Sequence, residues 1–229
     1  MAELSNHELL QLYSDLRLTD VRDGLDTVLL HHLGSMYPAI RPLQRMRAVG
    51  IARTARYLPF VGRVPEKNAK EYWEWSGTYY RDICPYPWMD SLEDGDFVVI
   101  DQSSLDVGLM GSENTLTCLR KGARGLVTNG GVRDTDEVIK QGVPFWSSMV
   151  SKSMVQGRLQ YDAMDIPVAV GGVTVRPGDV IVADGDGVIA VPREHAQDVA
   201  QAAHEEHERD KKNRRKHFEA LGWAPDETL

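Results

Sequence analysis

The stretch GLVTNGGVRDTDEV, residues 125–138, sets an arginine beside an aspartate, after two glycines and just ahead of a helical pattern. An apolar run that meets Asn129-Gly130-Gly131 reads as a strand reaching its end. Strand ends that face helix starts are where open α/β sheets gather ligands. Glycines at such a place let the backbone approach a small molecule closely. Asp134 offers the hard oxygen donors that a divalent cation takes, directly or through water. Arg133 can meet a carboxylate, or the negative charge that develops on an enolate oxygen. The same spacing equally suits Asp134 as an N-cap of the following helix, with Arg133 in a surface ion pair.

A second constellation is GLMGSEN, residues 108–114. Gly111 and Ser112 look like a loop entering a helix, whose free N–H groups would cradle a carboxylate or phosphate. Ordinary capping accounts for the same residues. Other candidates are weaker. The DGDG run, Asp184–Gly187, lacks the further acidic positions and terminal glutamate of a calcium loop and reads as a tight turn. His204 and His207, three apart on a polar helix, allow a weak metal site or two solvated side chains. His31-His32 has no partner visible in the sequence, and neither Cys84 nor Cys118 has the context of a nucleophile. No G-x-S-x-G or G-x-x-x-x-G-K-[ST] motif is present, and GGVTV is not a dinucleotide fingerprint.

The elements that must position these residues follow from periodicity. Ser5–Leu16 carries Leu9, Leu10, Tyr13 and Leu16 at helical spacing, with Ser5 as N-cap and Glu8 three residues on. Thr19 is expected to open a second helix running to His32, and residues 48–58 alternate as a strand. From residue 92 strands and short helices alternate: LEDGDFVVIDQ, SENTLTCLRKG, RGLVTN, TDEVIKQG and VPFWSS. Gly122 and Gly142 act as helix stops. This order predicts an α/β fold with parallel pairing. After residue 166 the chain is rich in β-branched residues, with reversals expected at Pro177-Gly178 and Gly185-Asp186-Gly187. Residues 193–221 read as a charged helix. Residues 62–90 hold three of the five tryptophans, four of the eight tyrosines and three prolines. That segment is expected to be a capping loop, a subunit contact or an irregular piece packed on its own core.

Bulk properties bound the function. The chain has 229 residues, of which 42% are hydrophobic and 26% charged, as in ordinary globular proteins. A net charge of −8 gives no broad pull toward nucleic acid or an anionic membrane. The basic run 209–216 follows acidic residues and reads as a solvated helix face. With two cysteines the chain is no disulfide scaffold. The first residues lack an apolar core of a secretory signal, and no apolar run approaches the ~20 residues of a membrane span. The expected setting is cytoplasmic. No repeat or composition break argues for a second domain, so residues 1–229 are expected to form one.

At GSENTLTCLRKGARGLVTNGGVRD the residues resemble the RraA-like family. That family includes class II pyruvate aldolases acting on 4-hydroxy-4-methyl-2-oxoglutarate and 4-carboxy-4-hydroxy-2-oxoadipate, and the protein regulator of ribonuclease E activity. LTDVRDGLD is similar to the family's N-terminal helix and RPLQRMRAVGIARTARY to its first strand. LEDGDFVVID and VRPGDVIVADGDGVIAVP are similar to later β segments. The resemblance implies an α/β/β/α sandwich of the phosphohistidine-domain-like type, in trimers or pairs of trimers with sites between subunits. It further implies Mg²⁺ or Mn²⁺ beside Asp134, Arg133 on the substrate's keto or enolate oxygen, and backbone amides around Leu109, Met110, Gly111 and Ser112 on the pyruvyl carboxylate. An acid from a neighbouring chain's C-terminal segment would complete the metal shell: Glu205, Glu206 or Glu208, with Glu206 taken as the ligand. There is one departure. The aldolase pattern places an acid twenty positions before Arg-Asp, and counting back across residues 113–132 lands on Ser112. Either the neighbouring Glu113 substitutes, or the acidic role is missing.

The resemblance, with the residues that carry it, therefore implies a divalent-metal-dependent lyase that cleaves a 2-oxo acid through a pyruvate-type enolate, by aldol cleavage or decarboxylation. Arg133, Asp134 and Glu113 are the catalytic candidates. The alternatives are a non-catalytic protein-binding regulator, or another metal-dependent step on an oxo acid such as hydration or tautomerisation.

Overall fold

The computed structural model describes residues 4–66 and 68–229. In chain order the elements are α1 (Asn6–Tyr13), α2 (Leu18–Thr27), β1 (Arg41–Pro42), β2 (Ala48–Pro59) and α3 (Ala69–Asp82), followed by a 3₁₀ turn (Pro87–Ser91). Then come β3 (Asp96–Asp101), β4 (Gly108–Met110), α4 (Ser112–Arg120), β5 (Gly125–Val132), α5 (Thr135–Lys140), β6 (Phe145–Val150) and β7 (Leu159–Met164). The chain ends with β8 (Val168–Val170), β9 (Val173–Val175), β10 (Val180–Asp184), β11 (Gly187–Val191), a second 3₁₀ turn (Arg193–His195) and α6 (Ala196–Leu221).

The main sheet runs β1-β6-β5-β3-β2-β10-β11, with β4 added to β5 and β7 to β2, while β8 and β9 form a separate ladder. Pairings among β2, β3, β5 and β6 are parallel, as alternating strands and helices require, and those to β1, β7, β10 and β11 are antiparallel. The two ends of the sheet approach each other. Trp146 Nε1 on β6 donates to the Asp184 carbonyl at 2.8 Å. The sheet is thus nearly closed, in an α/β/β/α arrangement.

Period-two alternation explains the layers, because successive strand side chains face opposite sides. Phe97, Val99, Val127, Trp146, Ile181 and Ala183 point into one cluster together with Val168, Val170 and Val175 of the small ladder. Their neighbours Val98, Ile100, Leu126 and Phe145 point the other way, under Cys118 of α4 and Val138 of α5. Val180 and Val182 meet Val21 and Leu25 of α2 and Val199 and Ala203 of α6. Both faces of the strands are therefore buried, which is why they read as continuous apolar runs.

Several local expectations are refined. Ser5 and Glu8 do form a capping box on α1. The second helix starts at Leu18 rather than Thr19 and stops at Thr27, where Leu29 turns into the left-handed region. Gly122 and Gly142 both have positive φ, as helix stops should. The β5 strand does not end at Asn129. It continues through Gly130, Gly131 and Val132 with all eight residues buried. Residues 185–186 close the β10–β11 hairpin. Pro177-Gly178 is no hairpin, because β9 pairs with β8 while β10 pairs with β2 and β11. The segment 62–90 contains a helix. Tyr79 Oη donates to the Leu159 carbonyl at 2.7 Å, and Trp88 Nε1 donates to Tyr57 Oη at 2.9 Å. These bonds anchor the segment to the main core, while Trp73 stays 64% exposed.

His204 and His207 are neither a metal pair nor solvated. His204 Nε2 lies 2.7 Å from the Leu12 carbonyl and His207 Nδ1 lies 2.8 Å from Asp20 Oδ2. Asp20 is buried, and it also accepts from the Arg17 backbone N–H at 2.9 Å and from the Arg17 guanidinium. Burial alone would raise its pKa, but the Arg17 hydrogen bonds and charge outweigh it and hold the carboxyl below its ordinary value. A depressed carboxylate stabilises the fold above its unfolded pKa, and that contribution fades as pH falls through the folded value. Asp20→Asn is expected to lose about 1.5–3 kcal/mol at pH 7, the usual worth of hydrogen bonds to a charged group. Denaturant titrations should show the gap to wild type narrowing at pH 3. A constant gap would mean that Asp20 carries no proton linkage.

Candidate active site

The β4 strand and the C-terminal end of β5 lie parallel, and the chain leaves each toward a helix. Arg133 N–H donates to the Met110 carbonyl at 2.9 Å, which locks the two exits together. Asp134 is the N-cap residue of α5 but does not cap it. Its backbone is left-handed, with φ 53° and ψ 38°, a conformation that aspartate and asparagine tolerate better than most residues. The side chain instead accepts the Ser112 backbone N–H at 3.2 Å, at the first turn of α4. The N-cap of α4 is Gly111, which has no side chain to offer. Asp134 thus supplies the missing cap from the turn between β5 and α5, and its charge lies at the positive end of α4.

This arrangement explains Gly111 by space rather than by dihedral freedom. A Cβ at position 111 would sit 2.3 Å from Asp134 Oδ2. Its φ of −140° is open to any residue. Gly111→Ala is therefore expected to fold but to push the Asp134 carboxylate away from the Ser112 N–H. A crystal structure of the variant with Asp134 unmoved would contradict this.

Around the pair lies a cavity of about 350 Å³, lined by Tyr80, Tyr86, Gly108, Leu109, Gly111, Glu113, Asn114, Arg133 and Asp134. Arg133 Nε is 3.6 Å from Asp134 Oδ2, and both side chains are about one-third exposed. The pair is thus open to a ligand. The Leu109 carbonyl accepts from Tyr86 Oη at 3.1 Å and from Asn114 Nδ2 at 3.4 Å. Burial pushes the Tyr86 phenol well above its usual pKa, so it stays protonated as a donor. Cys84 and Cys118 are buried free thiols, each pushed up to about 12 by burial, which makes both inert.

The structure brings Arg133, Asp134, Glu113, Leu109 and Gly111 to one cavity and leaves other candidates out of it. Met110 is fully buried, its side chain in the core. The expected amide cradle is reduced, because Leu109 N–H donates to the Val107 carbonyl and Ser112 N–H to Asp134. Ser112 takes part through that amide and contributes no acid; the carboxylate in the lining is Glu113. Glu206 pairs with Arg209 on α6 and does not line this cavity in the same chain. Gly108 and Asn114 belong to the GLMGSEN stretch, whereas Tyr80 and Tyr86 come from outside both constellations. Aromatic density in 62–90 was the one signal for the tyrosines.

Asp134 and Glu113 provide oxygen donors of the kind hard cations prefer. Among the described residues no group of three or more His, Cys, Asp or Glu is placed to hold a metal. A Mg²⁺-like ion commonly uses one or two carboxylates, with water and substrate oxygens completing its shell, so the donor set fits such an ion.

A near-closed α/β sheet with an Arg-Asp pair set against a helix N-terminus defines the class. The RraA-like family model (Aldolase/RraA) matches residues 18–190, and the chain belongs to that family. A Legionella pneumophila relative, Protein DlpA, is 29% identical over 193 residues, covering 83% of this chain and 28% of the relative. The 4-hydroxy-4-methyl-2-oxoglutarate aldolase of Thermus thermophilus is 34% identical over 91 residues, covering 39% of this chain and 54% of that one. The chain thus spans about a quarter of the first relative and about half of the second. Among solved structures, Streptomyces coelicolor RraAS2, described as an unusual member of the RNase ES inhibitor RraA protein family, superposes with a TM-score of 0.73 at 25% identity. The match covers 93% of this chain and 99% of that one. Among the described residues no helix is long and apolar enough to cross a membrane.

Proposed function

We propose that the protein is a lyase that breaks a carbon–carbon bond in a 2-oxo acid, releasing a pyruvate-type product. The observation that carries this reading is the convergence of Arg133, Asp134 and Glu113 on one small cavity at the start of α4. Arg133 meets the oxygen on which negative charge gathers as the bond breaks, where a fixed donor is worth most. Glu113, exposed at the cavity wall, takes the substrate's hydroxyl proton in aldol cleavage. Tyr86 and Asn114 fix the Leu109 carbonyl and hence the loop that shapes the cavity. Asp134 is the residue that would hold Mg²⁺ or Mn²⁺, with Glu206 from a second copy of the chain as a further ligand in a trimer or hexamer. When bound, such an ion supplies electron withdrawal from the 2-oxo group.

The test is a screen of 2-oxo acids for release of pyruvate or CO₂, with Mg²⁺, with Mn²⁺ and with a chelator. Turnover that a chelator removes supports the reading. Because the acid expected at position 112 is a serine, decarboxylation of an oxaloacetate-like acid, which needs no base, should outpace aldol cleavage. Equal rates would show that Glu113 serves fully as the base. The Streptomyces neighbour favours a second reading, a regulator that binds a ribonuclease. Ribonuclease inhibition with no turnover of any oxo acid would select it.

A further inference from the structure

The cavity has two unlike walls. Arg133 is the one cation among the described residues that line it, set against the carboxylates of Glu113 and Asp134. The same cavity is lined by Tyr80 and Tyr86, whose rings are stacked at 6.3 Å and 26°. This aromatic wall is anchored through Tyr86. Tyr86 packs on Tyr57 at 6.1 Å and on Trp88 at 6.3 Å, and its hydroxyl is held by the Leu109 carbonyl. Trp88 is fully buried and tied to Tyr57, which is also fully buried. The wall comes from α3 and the residue that precedes the 3₁₀ turn, within the aromatic segment whose purpose the sequence left open.

Charge and surface together select a ligand. One carboxylate of an oxo acid has Arg133 to meet it. For a second carboxylate the described lining residues offer no further cation, only Glu113, Asp134 and uncharged groups. Like charges repel, and a second anion beside these carboxylates gains no pairing to offset that repulsion. A flat apolar group, by contrast, gains burial and ring contact on the tyrosines. A cavity of 350 Å³ lies at the small end of ligand sites, roughly 300–1,000 Å³, with space for a short acid and one ring.

We infer that the site takes a 2-oxo monocarboxylate whose far end is an uncharged apolar or aromatic group seated on Tyr80 and Tyr86, rather than a dicarboxylate of the 4-hydroxy-4-methyl-2-oxoglutarate kind. This rests on the reading of the cavity as an oxo-acid site. For a 4-aryl-4-hydroxy-2-oxo acid the step balances without a redox partner. The hydroxyl proton passes to the base and the C3–C4 bond breaks. C4 leaves as an aldehyde, and the bonding pair stays on C3, which takes up a proton to give pyruvate.

The experiment compares two pairs of probes on the full chain. Calorimetry measures binding of 2-oxo-4-phenylbutanoate against 2-oxoglutarate. Pyruvate release is followed from 4-hydroxy-2-oxo-4-phenylbutanoate against 4-hydroxy-4-methyl-2-oxoglutarate. The aryl member of each pair is expected to win by at least about tenfold, the range one apolar group commands in a fitted pocket. Tyr80→Ala should raise KM for the aryl acid and shrink the preference to about threefold or less, while Tyr80→Phe keeps it. Equal or tighter binding of 2-oxoglutarate, as a cation brought by a second copy of the chain would cause, overturns this inference and leaves the oxo-acid reading standing. Failure of both acids to bind removes the oxo-acid reading, and this inference with it.

Discussion

Replacing Arg133 with alanine is expected to lower kcat/KM for pyruvate release by about 10²–10³, the cost of removing one preorganised charge-stabilising donor. The fold should hardly notice. The guanidinium is about one-third exposed and pairs with Asp134 at 3.6 Å. Pairs that exposed contribute about 0–1 kcal/mol. What fixes position 133 in the fold is its backbone N–H on the Met110 carbonyl, and alanine keeps that bond. Denaturant midpoints should therefore agree within experimental scatter while activity falls. Arg133→Lys separates charge from geometry. An ammonium restores charge without the planar fork, so partial recovery is expected, well short of wild type. Full activity in Arg133→Ala would place the chemistry elsewhere.

The parts of this molecule that rest on local rules were legible in advance. Alternating strands and helices from Asp96 to Val150 predicted parallel pairing, and the hairpin at Gly185-Asp186 followed from turn chemistry. Non-local arrangements were not. Nothing in the local pattern shows that β5 continues through Asn129-Gly130-Gly131, because glycines ordinarily weaken a strand. They are used here for close approach: a Cβ on Gly131 would lie 2.6 Å from Ser151 Cβ and 2.9 Å from the Val107 carbonyl. The Arg133-Asp134 pair was visible as a dipeptide with two readings, capping or chemistry. The structure shows that the capping target is a different helix from the one the sequence indicates. The tyrosine wall was hidden for the same reason. Tyr80 and Tyr86 lie on opposite sides of a helix end, and only packing against Tyr57 and Trp88 brings their rings together.

The other large effect is expected at Asp134, where the choice of substitution decides what is learned. Alanine would remove the carboxylate and also place a residue ill-suited to positive φ at φ 53°, adding about 1 kcal/mol of backbone strain. Asparagine is the cleaner probe. It tolerates the left-handed region, matches the shape, and its amide oxygen can still accept the Ser112 N–H, so α4 keeps its cap. What it loses is charge, at the point where the cavity would hold a hard cation. Asp134→Asn is expected to melt within about 1 kcal/mol of wild type, in line with a cap retained. It should bind Mn²⁺ at least 10–100-fold more weakly in calorimetry and lose turnover in proportion, since even outer-shell partners of a metal are worth that much. The two readouts separate the roles of this carboxylate. Weaker metal binding with an intact fold assigns Asp134 to the cation. Unchanged Mn²⁺ affinity together with a lower melting point would assign it to the helix alone, and the catalytic reading of the Arg133-Asp134 pair would then rest on Arg133.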